Sequence, residues 1–537
     1  MIPEPQLTDL IQFLARPDSY EEKTTSVAVL QTHISVVALT DQFVYKLKKN
    51  VRFDFLDFST LAKRQYYCQE EVRLNQRLSA DLYQGILPIY WDGKTLTFQS
   101  GGEVVDYVIQ MRRLSDEGLL INQMKDPGFP LHRVDGLIDR LLAFYQNAPS
   151  SPDIAAFGTP EIIEATLQEV TGNFFRYENL TLTPLAARWI PIFLTNFLHS
   201  HRNFFEERIQ LGKIVEGHGD LRSEHIHIEN NIITIFDCIE FSQHLRCLDI
   251  LNDLAFLLMD LDYRHCRTLA DYLQEKLFSV QENSDWAPLI TFYKTYRACV
   301  RGKVDTLKAK EPEISLPVRQ ESQQKARRYF QLALRYAVLG SQPAILVCMG
   351  GAATGKSTLA TSLASELGLA VLNSDNIRKQ QAGIDPFYRL PESERWLLYE
   401  KAVTHNVYKE MASRGLREAQ QTGAVILDAT YRDQDKLKNL QAICRRKNVR
   451  LFVIQTEAPV ELIQQRLQQR ETQPSVSDLQ MSDYVSGQFE ITYAIETYVE
   501  NGLKVNTQVS TSDTIDQEII PWLIQQVHPA LPVALQF

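Results

Sequence analysis

The segment 350–358 reads GGAATGKST and constrains the fold of this chain more than any other feature. It matches the pattern G-x-x-x-x-G-K-[ST] and lies between an apolar run, 345–349, and the helix-forming run STLATSLASEL. Glycines in such a loop let backbone N–H groups close around phosphate oxygens, and the N-terminus of the following helix adds partial positive charge. The sequence therefore predicts a phosphate-binding loop between a buried strand and a helix.

This loop predicts ATP as a ligand, with Mg²⁺ as its companion ion. We expect Lys356 to neutralise the β- and γ-phosphates and Ser357 to bind the Mg²⁺ ion. The other residues of the nucleotide-binding loop are Gly350, Gly351, Ala352, Ala353, Thr354, Gly355 and Thr358.

Two later runs end in carboxylates. The strand-like run LAVLN leads to Asp375 and a helix that contains Arg378, and the strand-like run AVILD ends at Asp428. Asp375 either caps its helix or acts as a general base for a substrate hydroxyl, and its position beside the predicted phosphates favours the base. Arg378, one turn further on, is expected to hold an anionic substrate. Asp428 is expected to reach Mg²⁺ directly or through water.

A helix-forming run at 460–470 places Arg466 and Arg470 four residues apart, on one face of the helix. Two interpretations have equal weight. The arginines belong either to a solvated helix face or to a lid that brings them onto the transferring phosphoryl group.

Residues 343–527 resemble small P-loop kinases of the gluconate-kinase and zeta-toxin type and the kinase domain of polynucleotide 5′-kinases. The resemblance rests on GGAATGKST, NSDNIRK and VILDAT, in that order. It implies an α/β fold with a mainly parallel sheet, in which Asp375 activates a hydroxyl and Arg378 lies beside it. It also implies that Arg466 and Arg470 are lid arginines.

A second constellation lies at 216–241, where His218-Gly219-Asp220 is followed by His225 and then by two short apolar runs that lead to Asp237. It resembles the catalytic loop of aminoglycoside phosphotransferase-like (protein-kinase-like) enzymes, H-G-D-x-x-x-x-N followed by a strand ending in Asp. The resemblance implies that Asp220 is the base and that Asp237 binds Mg²⁺. His225 occupies the position of the metal-binding Asn, and an imidazole there should weaken Mg²⁺ binding.

Upstream segments fit the same resemblance. The strand FVYKLKK offers Lys46 as the residue that contacts the α- and β-phosphates, and the helix at 61–80 offers Glu71 as its ion-pair partner. A strand-like run at 27–39 precedes both. The expected fold is an α+β protein-kinase-like bilobal domain followed by an α/β P-loop NTPase domain.

Composition agrees with this division. The chain has 537 residues, of which 44% are hydrophobic and 23% charged, which is typical of a globular protein with several domains. We expect a kinase-like domain at 1–325, a linker helix at 326–342 and a P-loop kinase domain at 343–537. A net charge of −10 counts against nucleic acid as a partner. The absence of a signal peptide or a long apolar run predicts a cytoplasmic protein with no membrane partner.

The sequence as a whole predicts an ATP-dependent phosphotransferase that acts on a hydroxyl of a small, sugar-like or anionic molecule. One alternative is a polynucleotide 5′-kinase with the same Asp-x-x-Arg chemistry. Another is a regulatory ATPase whose N-terminal domain is a pseudokinase, which the histidine at position 225 favours. The tandem arrangement itself resembles bacterial two-domain proteins that join a phosphotransferase-like half to a P-loop half. The acceptor and the oligomeric state stay open.

Overall fold

A computed structural model describes residues 5–53, 56–279, 286–386, 388, 390–391, 397–471 and 500–532. Within these ranges no helix combines the length and the apolar character needed to cross a membrane. The chain forms two compact units, each assembled from separate stretches. Unit 1 comprises Met1–Ile163, Asn203–Asp260 and Tyr272–Asn283, and unit 2 comprises Glu164–Arg202, Leu261–Asp271 and Ser284–Phe537.

The strands in chain order are β1 (Ala28–Gln31), β2 (Ser35–Leu39), β3 (Phe43–Lys48), β4 (Arg52–Phe53), β5 (Leu56–Asp57), β6 (Tyr83–Trp91), β7 (Leu96–Thr97), β8 (Glu103–Arg112), β9 (Ile214–Glu216), β10 (Ile226–Glu229), β11 (Ile232–Ile235), β12 (Cys247–Asp249), β13 (Ala344–Gly350), β14 (Ala370–Asn373), β15 (Ala424–Asp428), β16 (Arg450–Glu457) and β17 (Gly502–Asn506).

The helices in chain order are α1 (Leu7–Leu14), α2 (Leu61–Gln76), α3 (Leu120–Gln123), α4 (Asp135–Asn147), α5 (Pro152–Ala155), α6 (Pro160–Thr171), α7 (Pro184–Ser200), α8 (Arg202–Gln210), α9 (Gln243–Arg246), α10 (Ile250–Tyr263), α11 (Arg267–Ser279), α12 (Ala287–Lys310), α13 (Leu316–Leu339), α14 (Lys356–Leu367), α15 (Ser374–Gln381), α16 (Lys401–Thr422), α17 (Gln434–Arg446), α18 (Val460–Glu471), α19 (Thr511–Thr514) and α20 (Ile520–Val527).

Unit 1 contains a six-stranded antiparallel sheet in the order β1-β2-β3-β8-β6-β7, and α2 packs on β6 and β8. A buried apolar cluster that includes residues of α1, β2 and β3 forms the core on one side of this sheet. The expected single strand at 27–39 is wrong. It is a hairpin of β1 and β2, because Thr32 Oγ1 accepts a 3.0 Å hydrogen bond from the Ser35 N–H and turns the chain.

Two small antiparallel pairs follow in unit 1, β9 with β12 and the hairpin β10–β11. The segment between β9 and β10 carries the predicted catalytic loop, and Asp237 follows β11. Buried Asp253 accepts hydrogen bonds from the backbone N–H groups of His218 (2.7 Å) and Gly219 (3.0 Å), so the start of this loop has a fixed position. The predicted order of the protein-kinase-like fold, a β-rich lobe and then a mainly helical part, is confirmed, but the β-rich lobe contains two helices, α1 and α2, where one was expected.

Unit 2 contains a five-stranded, fully parallel sheet in the order β14-β15-β13-β16-β17. All seven residues of β13 are buried, as expected for a central strand covered on both faces. Apolar residues of β13, β15 and β16 pack against those of α16 and α17 in one core. The predicted α/β P-loop fold with a mainly parallel sheet is confirmed.

Helix α13 belongs to the packed interior of unit 2. It packs against α12, α14 and α20, and Tyr336 on it donates a 2.6 Å hydrogen bond to buried Asp262. The same carboxylate forms a 2.8 Å ion pair with Lys294 of α12. The predicted linker helix 326–342 lies largely within α13, which is part of unit 2. Unit 2 also includes Glu164–Arg202 and Leu261–Asp271 from the expected kinase-like domain, so the compact units do not coincide with the expected segments. The domain boundaries stay a prediction.

Candidate nucleotide and phosphoryl-transfer sites

The loop after β13 adopts the geometry that its glycines permit. A Cβ atom at Gly350 would lie 2.3 Å from Thr456 Oγ1, closer than any side chain tolerates. Gly355 has a φ of +91° and precedes the first residue of α14, Lys356. The loop therefore presents backbone N–H groups and one lysine at a helix N-terminus, which is an arrangement that binds phosphate.

Arg466 of α18 contacts this loop. Its Nη1 donates to the Ala353 carbonyl at 3.3 Å and to Thr507 Oγ1 at 2.9 Å, and Thr507 Oγ1 in turn donates to the Thr354 carbonyl at 2.7 Å. Burial lowers the pKa of Arg466. Its guanidinium thus supports the loop backbone, and its role in a lid stays a prediction. The side chain of Arg470 lies outside the described residues.

Asn373 links two predicted site residues at the carboxyl edge of the sheet. Its Nδ2 donates a 2.7 Å hydrogen bond to Asp428 Oδ2. Its Oδ1 accepts from the backbone N–H groups of Asp375 (2.9 Å) and Asn376 (3.0 Å) and so caps α15. Sequence reasoning missed this residue, although an Asn immediately before a helix is a familiar N-cap signal.

One oxygen of the buried Asp428 carboxylate is available as a ligand for an ion. Its side chain is 2% exposed, and within the described part of the chain its Oδ1 has no hydrogen-bond partner. Such an orphan oxygen beside a phosphate-binding loop suits Mg²⁺, which prefers oxygen ligands. The residues present therefore fit ATP with Mg²⁺, held by the loop, by the Ser357 hydroxyl and by Asp428.

Asp375 lies in the first turn of α15 and has two neighbours. Tyr399 Oη donates to its Oδ1 at 3.2 Å, and Arg378 Nε lies 3.8 Å from the same oxygen. The Arg378 guanidinium is buried, lies 4.3 Å above the Tyr399 ring, and donates to the Leu398 carbonyl (2.7 Å) and to Thr404 Oγ1 (3.1 Å). Arg378 therefore fixes the segment that carries Tyr399. Its expected contact with an anionic substrate stays a prediction.

In unit 1 the structure brings three predicted residues together. Lys46 Nζ lies 2.8 Å from Glu71 Oε1 and 2.7 Å from Asp237 Oδ1. Burial opposes the charge on Lys46, but Asp237 and Glu71 outweigh that effect and raise its pKa. Burial likewise acts to raise the pKa of Asp237, yet the Lys46 ammonium outweighs it and the net shift is downward. Both groups are thus held in their charged forms.

A second buried lysine of β3, Lys48, lies beside the first. Lys48 Nζ lies 2.6 Å from Glu71 Oε2 and also pairs with Glu240. Burial raises the pKa of Glu240. The alternation of the strand FVYKLKK predicts that Lys46 and Lys48 lie on the same face of β3, whereas the pairing of Lys48 with Glu71 and Glu240 was not predicted.

The predicted base of unit 1 is engaged by a neighbour. Both carboxylate oxygens of Asp220 accept hydrogen bonds of 2.8 Å from Arg222. His225 Nδ1 lies 2.8 Å from the Asp220 backbone carbonyl, and its Nε2 lies 3.5 Å from Asp237 Oδ2. The structure therefore brings His225 beside Asp237, as the alignment of the loop requires.

Comparison with known proteins found a matching family model, a curated relative and solved structures that are similar to parts of this chain. A family model described as an AAA domain, AAA_33, matches residues 345–486. The uncharacterized protein Rv2004c of Mycobacterium tuberculosis is 30% identical over 410 residues, which cover 76% of this chain and 79% of that protein. A gluconokinase from Sinorhizobium meliloti is 18% identical over 35% of this chain and 95% of its own, with a TM-score of 0.23. A spectinomycin phosphotransferase is 14% identical over 61% of this chain and 98% of its own, with a TM-score of 0.36.

Proposed function

We propose that this chain, which belongs to the same protein family as mycobacterial Rv2004c, is a kinase whose unit 2 transfers the γ-phosphoryl group of ATP to a hydroxyl. The acceptor is a small, sugar-like or anionic molecule. The proposal rests on the P-loop and on the placement of a carboxylate, Asp375, at the same edge of the parallel sheet.

The hydrogen bonds of Asn373 carry the proposal. Asn373 and Asp428 are register partners on adjacent parallel strands, and β15 is itself paired with β13, which leads into the P-loop. Because the carboxyl ends of parallel strands meet at one edge, the loop, Asp428 and the start of α15 share that edge. Asn373 fixes the last two to each other by hydrogen bonds of 2.7 and 2.9 Å.

Each residue then has a defined task. The loop backbone and Lys356 bind the β- and γ-phosphates, and Ser357 with Asp428 holds the ion, which when bound neutralises charge on the phosphates. Asp375 accepts the proton of the acceptor hydroxyl. Tyr399 orients the Asp375 carboxylate through its 3.2 Å hydrogen bond, and Arg378 keeps Tyr399 in place.

The experiment is a measurement of acceptor-dependent ADP formation by the full-length protein, over a panel of sugars, nucleosides, aminoglycosides and RNA 5′-ends. Lys356→Ala should abolish most of the activity, whereas Lys409→Ala, at an exposed position of α16, should retain it. Activity of Lys356→Ala at the wild-type rate would refute the proposal.

The same panel separates the alternatives. Transfer to RNA 5′-ends alone would identify a polynucleotide kinase. ATP hydrolysis that no acceptor accelerates would favour a regulatory ATPase. The net charge of −10 argues against the first of these.

A further inference from the structure

We propose that Lys436 of unit 2 binds an anionic group of the acceptor, and that the acceptor is a hydroxyl compound that carries a carboxylate or a phosphate. This inference rests on the function proposed for unit 2 and deepens it. It assigns to Lys436 the contact that the sequence predicts for Arg378. Lys436 lies outside the motifs GGAATGKST, NSDNIRK and VILDAT.

The topology of the sheet brings Lys436 to the same edge as the predicted base. Strands β14 and β15 are parallel neighbours, α15 follows β14, and α17 follows β15. Asp375 lies in the first turn of α15, and Lys436 lies in the first turn of α17. Because both helices begin beyond the carboxyl ends of adjacent parallel strands, the two side chains start from the same edge of the sheet.

The ring of Tyr408 connects Lys436 with the predicted ion site. The Lys436 Nζ lies 4.5 Å from the centre of this ring. Tyr408 Oη accepts a 3.1 Å hydrogen bond from the Tyr431 N–H and lies 3.2 Å from Thr430 Oγ1. Thr430 is two residues beyond Asp428, the predicted metal ligand. Lys436 therefore lies over a ring that contacts the segment next to the ion site.

The Lys436 ammonium is available to a ligand. Its side chain is half-buried, and within the described residues the ammonium has neither a hydrogen-bond nor an ion-pair partner. The nearby Asp433 caps α17, because its Oδ1 accepts a 3.0 Å hydrogen bond from the Asp435 N–H. A partly desolvated ammonium without such a partner favours an anion, since a carboxylate or phosphate accepts a charge-assisted hydrogen bond from it.

Electrostatic effects connect Lys436 with the two predicted site residues of α15. Burial lowers the pKa of Lys436, Asp433 opposes this effect, and the Arg378 guanidinium adds to it. Burial raises the pKa of Tyr408, on which the charges of Arg378 and Asp375 act in opposite directions. Two cations near one base make this region suited to an acceptor that carries negative charge.

Arg378 is less suited than Lys436 to contact the acceptor directly. It is 4% exposed, and its Nη1 already donates to the Leu398 carbonyl and to Thr404 Oγ1. The ring of Tyr399 lies 4.3 Å from the centre of its guanidinium. An acceptor would reach this guanidinium only after the segment that carries Tyr399 had moved. Lys436 needs no such movement.

The test compares acceptors that differ in the presence of an anionic group. The pairs are D-gluconate with D-glucitol, and D-glucose 6-phosphate with D-glucose. Their affinities for the full-length protein are measured by calorimetry in the presence of adenosine 5′-(β,γ-imido)triphosphate, and their KM and kcat by ADP formation. We expect at least one anionic member to bind more tightly than its neutral partner, and the pair that does so identifies the carboxylate or the phosphate.

The variants separate the charge of Lys436 from its packing. Lys436→Met keeps the aliphatic contact with Tyr408 and should raise the KM of the preferred anionic acceptor ~10–100-fold, with little change in kcat. The KM of the neutral partner should not change. Lys436→Arg keeps the charge and should retain most of the affinity. Lys438→Met, at an exposed lysine of the same helix, should match the wild type.

Two results would overturn the proposal. One is a wild-type protein that binds no anionic acceptor more tightly than its neutral partner. The other is an unchanged KM for the anionic acceptor in folded Lys436→Met. The function proposed for unit 2 fails by a different result, which is wild-type transfer by Lys356→Ala. A protein whose transfer depends on Lys356 but not on the charge of Lys436 would therefore refute this inference alone.

Discussion

The side-chain amide of Asn373 donates a 2.7 Å hydrogen bond to Asp428 Oδ2 while its oxygen caps the helix that begins with Ser374 and Asp375. One residue thus ties the predicted metal carboxylate to the predicted base. Asn373 and Asp428 lie on the neighbouring parallel strands β14 and β15. The hydrogen bond between them therefore depends on the register of these strands and would be lost if β14 slipped by one residue.

We predict that Asn373→Ala lowers the free energy of unfolding of unit 2. Loss of the cap costs ~1 kcal/mol, and the unsatisfied carboxylate oxygen of buried Asp428 adds ~1–3 kcal/mol. Asn373→Asp keeps the capping oxygen and should lose less stability, but it sets two carboxylates side by side and should impair activity. Thermal unfolding and turnover of the full-length variants measure both effects.

The control for this comparison is Asn506→Ala, which removes another strand-end asparagine of the same sheet at an exposed position. It should resemble the wild-type protein in activity. Wild-type stability in Asn373→Ala would show that the bridge is dispensable.

A buried histidine should make stability depend on pH. His528 of unit 2 is 8% exposed, and burial, assisted by Arg450, lowers its pKa from 6.5 to about 4. Between these values the unfolded chain binds a proton that the folded chain does not. The neutral form of His528 therefore makes its full contribution to the free energy of unfolding above pH 6.5. As the pH falls from 6.5 toward 4, the free energy of unfolding decreases by up to about 1.4 kcal/mol per pH unit.

His528→Gln removes this titration. Its free energy of unfolding should vary less with pH between 6.5 and 4 than that of the wild type, whereas His132→Gln should follow the wild-type profile. Chemical denaturation at a series of pH values decides the point. Equal slopes in His528→Gln and the wild type would mean that His528 titrates normally in the folded protein.

Helix α13 should stabilise the P-loop fold. Gln331 on it donates a 2.7 Å hydrogen bond to the Ser365 carbonyl of α14, and Arg450 donates to the Leu339 carbonyl at its end. We predict that a fragment 316–537 unfolds at a higher temperature than a fragment 343–537, because the shorter fragment exposes the apolar surface that α13 covers. Identical unfolding temperatures would support a domain boundary at 343 and a linker role for residues 326–342.

The parts of the site that the sequence predicted are those encoded by local pattern. The P-loop combines glycines, a lysine and a hydroxyl within nine residues, and Asp428 ends an apolar strand. The pairing of Lys46 with Glu71 followed from the resemblance, and the two atoms lie 2.8 Å apart. Such features need no knowledge of which elements meet in space.

The parts that the sequence did not predict depend on contacts between distant residues. Tyr399 donates a hydrogen bond to Asp375 although the two residues are 24 positions apart, and no sequence motif specifies this contact. The bidentate clamp of Arg222 on Asp220 depends on backbone conformation, although the two residues are only two positions apart. The hairpin at β1–β2 was missed because Thr32 and Ser35 form a turn without glycine or proline.

The central claim, phosphoryl transfer with Asp375 as the base, is tested most directly by the acceptor-dependent rate of Asp375→Asn. This substitution keeps the size of the side chain but removes its basicity. We predict a ~10²–10⁴-fold lower rate of transfer with nearly unchanged ATP affinity. Asp435→Asn, in the first turn of α17 and 76% exposed, should transfer at the wild-type rate. A folded Asp375→Asn protein that transfers phosphate as fast as the wild type would contradict the claim.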